Sequence, residues 1–207
     1  KMMGANLVQS NTISGVLKSN YNVPTWLTGV ILICCLMAVV LGGLKRLANI
    51  ATSLVPIMSI FYVVVGLLVI LLNIQEVPGV FKEIFTQAFS MKAAAGGAGG
   101  YIIARAMQYG ITRGMYSNEA GEGTAPFAHG SAIVDHPCEE GITGVTEVFL
   151  DTIIICSITA IVIGVTGIYR SDLSPAVMAI ESFGTVWAPL KHLATFALLL
   201  FCFTTLM

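Results

Sequence analysis

The chain has 207 residues, 56 % of them hydrophobic and only 10 % charged, and its 10 basic and 11 acidic side chains leave a formal net charge of −1. That balance argues against a nucleic-acid partner and against a basic face for anionic lipid, and a mean hydropathy of +0.87 argues against a water-soluble globular domain. Several apolar runs reach the about 20 residues that cross roughly 30 Å of hydrocarbon, so the expected class is an all-α integral membrane protein in a lipid bilayer.

Residues from about Met2 to Leu17 are apolar with Asn6, Gln9, Ser10 and Asn11 embedded, which suits the remainder of a span facing a polar interior. Trp26 to Leu41 reads as a complete span, followed by a short basic loop from Gly42 to Arg46. Ile50 to Leu72 reads as a second span with Pro56 inside it, ending at Asn73 to Pro78. The stretch Phe81 to Phe89 is too short to cross and reads as a surface helix, with a glycine-rich turn at Gly96 to Gly100 after it. A broken helix is expected over about 97–134: helical to about Thr112, unwound through a polar, glycine-punctuated stretch, and helical again from Thr124 to Val134. Asp135 to Gly141 reads as a loop, Ile142 to Thr166 as a crossing, Tyr169 to Pro175 as a turn, and the last span runs from about Thr185.

The loops at Lys45-Arg46 and at Asp135 to Glu140 then share one face, assigned as cytoplasmic, and the segments Asn73 to Met91 and Tyr169 to Pro175 share the other. The chain opens at Lys1 and closes in an apolar run, so it reads as a fragment of one transmembrane domain, 1–207.

The polar stretch, Gly110 to Pro126, is the first candidate for function. Lipid offers no water to main-chain N–H and C=O groups, so unwound chain at that depth survives only against protein or in a water-filled cavity. Half-helix N-termini attract carboxylates, and free carbonyls coordinate cations. Gly114, Gly121 and Gly123 would allow close backbone approach and unusual dihedrals, while Ser117, Asn118 and Thr124 would supply neutral donors and acceptors. Arg113 with Glu119 or Glu122 is costly at this depth unless paired, and reads as a pair that pins the break or acts as a gate. Glu147 and Asp151 face inward one turn apart, as polar packing or as part of a cation path.

The five cysteines, four of them in apolar runs, read as small hydrophobes. The three histidines lack zinc spacing, so no metal centre is expected. The glycines at 96–100 lack the flanking strand and Lys-Ser/Thr of a phosphate loop, and Ser117 with His129 and Glu119 lacks the setting of a hydrolase.

The run RGMYSNEAGEGTAPFAH, then DHP at Asp135 to Pro137, then DTIIICSITAIVIGVTG from Asp151 to Gly167, resembles the alanine or glycine:cation symporter family. LVQSN at Leu7 to Asn11, GGLKRLA at Gly42 to Ala48 and FCFTT at Phe201 to Thr205 match in the same order, so the resemblance covers essentially the whole chain. It implies a partial leucine-transporter-type inverted-repeat bundle with one broken helix, running from about the third to the eighth core helix. It also implies that Gln9, Thr112, Gly114, Met115, Tyr116, Ser117, Asn118 and Thr205 contact a small neutral amino acid. Thr204 and Thr205 fall where that fold uses hydroxyls for sodium, and Arg113, Glu119, Gly121, Glu122, Gly123 and Asp151 are gating or structural. Glu122 departs from the family pattern, which favours an apolar residue there and so puts the cation preference in question.

The implied activity is sodium-coupled symport of alanine or glycine across the cytoplasmic membrane by alternating access. It needs no enzyme chemistry and no cofactor beyond sodium as coupling ion. A proton-coupled carrier or channel of the same fold is the alternative, and an intramembrane hydrolase using Ser117 is a weaker one.

Overall fold

A computed structural model of the chain describes residues 2–88, 97–118, 123, 129–130 and 132–207, and all regular structure among them is helical. The helices are α1 (Met2–Tyr21), α2 (Thr25–Val40), α3 (Gly43–Leu72), α4 (Val77–Ala88), α5 (Gly97–Ser117), α6 (Pro137–Val148), α7 (Ser157–Thr166), α8 (Pro175–Val186) and α9 (Ala188–Leu206). A π-helical segment, Phe149–Cys156, joins α6 to α7 without a break, and a 3₁₀ turn, Ile168–Arg170, follows Gly167 at φ +67°. Among the described residues, three stretches are long and apolar enough to cross a membrane: Arg46–Leu72, Pro137–Thr166 and Ala188–Leu206.

Several boundaries move from their sequence-based positions. Helix α2 falls within one residue of the span expected at Trp26 to Leu41, and its 16 residues rise about 24 Å at 1.5 Å per residue. The basic loop expected at 42–46 shrinks to a glycine turn. Gly43, at φ +77°, takes the left-handed conformation that lets α3 begin at once, so Lys45 and Arg46 lie in the first turns of α3. Pro56 sits inside α3 as expected, and the Thr52 and Ser53 hydroxyls just before it donate to the carbonyls of Ala48 and Asn49 at 2.8 and 3.0 Å. The loop expected up to Gly141 ends at His136, because Pro137 is pre-set for a first helical turn and the His136 ring accepts the Cys138 N–H. The last span, expected from about Thr185, is α9 from Ala188, with Pro189 in its first turn; a further helix not expected from the sequence, α8, precedes it and is separated from it at Trp187 in an extended conformation.

The residues divide into two compact units: the stretch up to Leu72 with Ile158–Met207, and Asn73–Ser157. In the first, α9 packs on α8, α1 and α3, and α2 packs on α1 and α3. Its core joins Val16 of α1 to Val177 and Ile180 of α8, with Ala176 and Leu198 against them. Tyr62 of α3 meets the Phe183 and Phe201 rings edge-on at 5.7 and 5.8 Å, and its hydroxyl bonds that of Thr159 at 2.6 Å. Glu181 and Lys191 pair at 2.5 Å, and Asn20 donates to Thr195 at 3.1 Å.

In the second unit α4 has a strongly one-sided apolar pattern and no buried residue, in keeping with the surface helix expected near Phe81. Helix α5 and the π-helical segment pack together, and that contact forms the candidate site.

Candidate functional site

The expected unwinding at Thr112 is not found there. Thr112, Arg113, Gly114, Met115, Tyr116 and Ser117 all lie on regular helix, the last turn of which closes with the Asn118 N–H donating to the Gly114 carbonyl at 3.2 Å. Gly114 has ordinary helical geometry with open space where a Cβ would stand, so it uses none of glycine's special freedom. One glycine costs only about 1 kcal/mol against alanine in a helix interior, too little to interrupt an otherwise competent run. The departure from helix begins at Asn118, and Gly123, at φ +78°, adopts the left-handed conformation anticipated for it. Glu119, Gly121, Glu122 and Thr124 lie outside the described residues, as does the proposed pairing of Arg113 with either glutamate. Residues 132–134 of the expected second half-helix are not helical.

Where α5 ends, its last polar groups meet the π-helical segment. Ser117 donates to Asp151 Oδ2 at 2.7 Å and lies 3.5 Å from Cys156 Sγ, while the Thr152 hydroxyl donates to Asn118 Oδ1. All four polar residues are half-buried. Successive residues on each side pair with successive residues on the other, which requires the π-helical segment to present Asp151 and Thr152 together toward one neighbour. A π-segment widens the turn by one residue and is frequent at functional sites. The result is an oxygen-rich seam within a helix that is otherwise apolar enough to span lipid.

Glu147 and Asp151, one turn apart, have different partners. Asp151 belongs to the Ser117 seam, while Glu147 Oε2 lies 3.2 Å from His129 Nε2, and His129 Nδ1 lies 2.5 Å from Glu140 Oε1. His129 stands outside the helices able to cross a membrane, and its hydrogen bond to Glu140 holds its pKa above the ordinary 6.5, helped by the Glu147 charge and opposed by burial. With both ring nitrogens on carboxylates, His129 has none left for Ser117, so the base that a Ser117 hydrolase needs is engaged elsewhere.

In the first unit Gln9 is half-buried on α1. Thr204 and Thr205 on α9 both donate to the Phe201 carbonyl at 2.9 Å, which leaves their oxygen lone pairs directed away from the helix backbone.

The model of the sodium:alanine symporter family matches residues 1–207. The chain belongs to that family. As a sodium:alanine symporter family member it is a multi-pass membrane protein of a transporter lineage, in keeping with its three span-length helices. It is 38 % identical over 202 residues to an uncharacterized transporter of Haemophilus influenzae, covering 96 % of this chain and 44 % of that one. It is 34 % identical over 206 residues to the sodium/alanine symporter AgcS of Methanococcus maripaludis, covering 98 % and 45 %. It is 39 % identical over 165 residues to a putative sodium/proton-dependent alanine carrier protein, YrbD, of Bacillus subtilis, covering 80 % and 33 %. The chain thus spans less than half the length of these relatives.

Thr152, Cys156, His129 and Glu140 enter the two polar clusters without having been singled out as site residues from the sequence. Thr152 could have been found, because it follows Asp151 inside the apolar run DTIIICSITAIVIGVTG. The His129 partners could not, because only tertiary contact brings a histidine to glutamates 11 and 18 positions on.

Proposed function

We propose that the chain forms part of a sodium-coupled symporter that carries small neutral amino acids, alanine or glycine, across the cytoplasmic membrane by alternating access. The observation that carries this reading is the seam where α5 stops, with Ser117 and Asn118 hydrogen-bonded to Asp151 and Thr152 inside a span-length helix. Hydroxyl, amide and carboxylate oxygens at a helix end are what a zwitterion and a hard cation require.

In this reading Gln9, Thr112, Gly114, Met115, Tyr116, Ser117, Asn118 and Thr205 form the amino-acid pocket, and Thr204 and Thr205 offer hydroxyl oxygens to sodium. Arg113, Glu119, Gly121, Glu122, Gly123 and Asp151 hold or gate the break. The bundle is a partial leucine-transporter-type repeat. Met115 and Tyr116 limit the pocket to small side chains, so Met115→Ala should admit larger amino acids. A second reading, coupling to protons, is favoured by the name of the Bacillus subtilis relative, which includes both ions.

The test is uptake of radiolabelled alanine by the full-length transporter in membrane vesicles under an imposed sodium gradient or an imposed proton gradient. Sodium-driven uptake that falls about tenfold in Gln9→Ala and in Asn118→Ala, the cost of one hydrogen bond to a charged ligand, supports the proposal. Uptake driven equally by protons without sodium supports the second reading. No gradient-driven uptake of any small neutral amino acid overturns both.

A further inference from the structure

We propose that His129, Glu140 and Glu147 form a proton-binding site, separate from the Ser117–Asp151 seam, that fastens the chain ahead of Pro137 to α6 while the proton is bound.

A neutral imidazole has one N–H and one bare nitrogen, and an ionised carboxylate can only accept. Both nitrogens of His129 face carboxylate oxygens, Nδ1 toward Glu140 at 2.5 Å and Nε2 toward Glu147 at 3.2 Å. A neutral ring between two ionised glutamates would set one nitrogen lone pair against an oxygen lone pair. The arrangement is satisfied when both ring nitrogens carry a hydrogen, as in an imidazolium. The second N–H then completes the clamp and turns a repulsion into a charge-assisted bond.

The site is built for a ring. Glu140, Gly144 and Glu147 lie on one stripe of α6 at helical spacing, and a Cβ at Gly144 would stand 3.9 Å from both Cε1 and Nε2 of His129. The imidazole therefore rests over bare backbone between two acids. The ring and Glu140 side chains are 25 % and 22 % exposed, so the tighter of the two bonds is partly enclosed by the protein, while Glu147 is 68 % exposed. Among the described residues no His, Cys, Asp and Glu group can hold a metal ion. Of the other titratable groups near in sequence, His136 accepts the Cys138 N–H, and Asp135 and Glu139 form no ion pair with the ring among the described contacts.

Linkage sets the direction of the pH response. The folded cluster favours the protonated ring, so the clamp is fully present below the ordinary imidazole pKa and is lost as pH rises through the higher folded value. Its loss frees one ring nitrogen from its glutamate and loosens the hold of α6 on His129 and on residues 132–136.

The decisive experiment is a pH titration of the His129 ring by ¹⁵N NMR on the full chain in lipid nanodiscs, which does not depend on transport of any substrate. A midpoint above 6.5 that falls in Glu140→Gln and falls further in Glu140→Gln/Glu147→Gln supports the site. A midpoint at or below 6.5, or one that neither substitution moves, overturns it. A spin label at Ala132→Cys, with the native cysteines replaced by alanine, reads the clamp itself. Wild type should gain label mobility with rising pH. His129→Lys, which keeps the cation, should stay immobile throughout, and His129→Gln should be mobile throughout. A label that responds to pH in the same way in all three would also overturn the site.

Discussion

Ser117 and Asp151 show how a single residue can serve two ends. The Ser117 hydroxyl gives its hydrogen to Asp151 at 2.7 Å and keeps its oxygen lone pairs, and Asp151 keeps its second carboxylate oxygen. Removing the charge while keeping the shape separates structure from ion binding. In Asp151→Asn the amide oxygen still accepts from Ser117, so thermal stability should change little. The sodium concentration for half-maximal alanine uptake should rise on the order of tenfold or more, since a lost ionic ligand exceeds about 1.4 kcal/mol. If that concentration does not move, Asp151 is polar packing and no part of a cation path. A fall in stability with unchanged sodium dependence would assign it the same packing role.

Between elements, close approach does much of the work that the hydrophobic effect does in water, because lipid tails are as apolar as the side chains they would replace. Gly66 on α3 lets Ile158 of α7 come so near that a Cβ there would stand 2.3 Å from Ile158 Cγ2. Ile158 is only 7 % exposed and β-branched, so its χ1 cannot turn away cheaply. Gly66→Ala should therefore lower stability by about 1–3 kcal/mol of overpacking, read as a drop in Tm in detergent. Adding Ile158→Ala removes the clashing methyl, and the double variant should be more stable than the two single effects predict. Additive losses would mean that α3 and α7 do not meet at this point.

The elements are readable in the sequence wherever one local rule dominates. Apolar length marks α3, the continuous run from α6 through α7, and α9, Pro56 falls inside its helix, and Gly123 uses the unusual dihedral expected of it. The start of the break lies later than the glycine at 114 suggests, because helix-forming residues surround it and an isolated glycine rarely stops a helix. The π-helical segment is invisible in the sequence because one extra residue per turn inside a largely apolar run leaves the composition unchanged. His129 fits neither a zinc pattern nor a hydrolase pattern, and neither of those describes a ring between two carboxylates.

At the scale of the whole molecule, symport requires that one ligand favour the conformation the other needs. If sodium raises alanine affinity by some factor, alanine must raise sodium affinity by the same factor, because the two binding free energies close a cycle. The chain spans less than half of its relatives' length, so this coupling belongs to the complete transporter. In purified protein, equilibrium binding of radiolabelled alanine should tighten about five- to 150-fold on adding saturating sodium, the range of a coupling energy of about 1–3 kcal/mol. Sodium binding should tighten equally with alanine. Replacing sodium by potassium at the same ionic strength should remove the effect, since general screening treats the two alike. If Asp151 is part of a cation path rather than polar packing, Asp151→Asn should reduce the coupling factor more than it reduces alanine affinity measured without sodium. Alanine affinity that is the same in sodium and in potassium would leave the two ligands energetically independent, and a transporter with independent ligands cannot draw on a sodium gradient to concentrate its substrate.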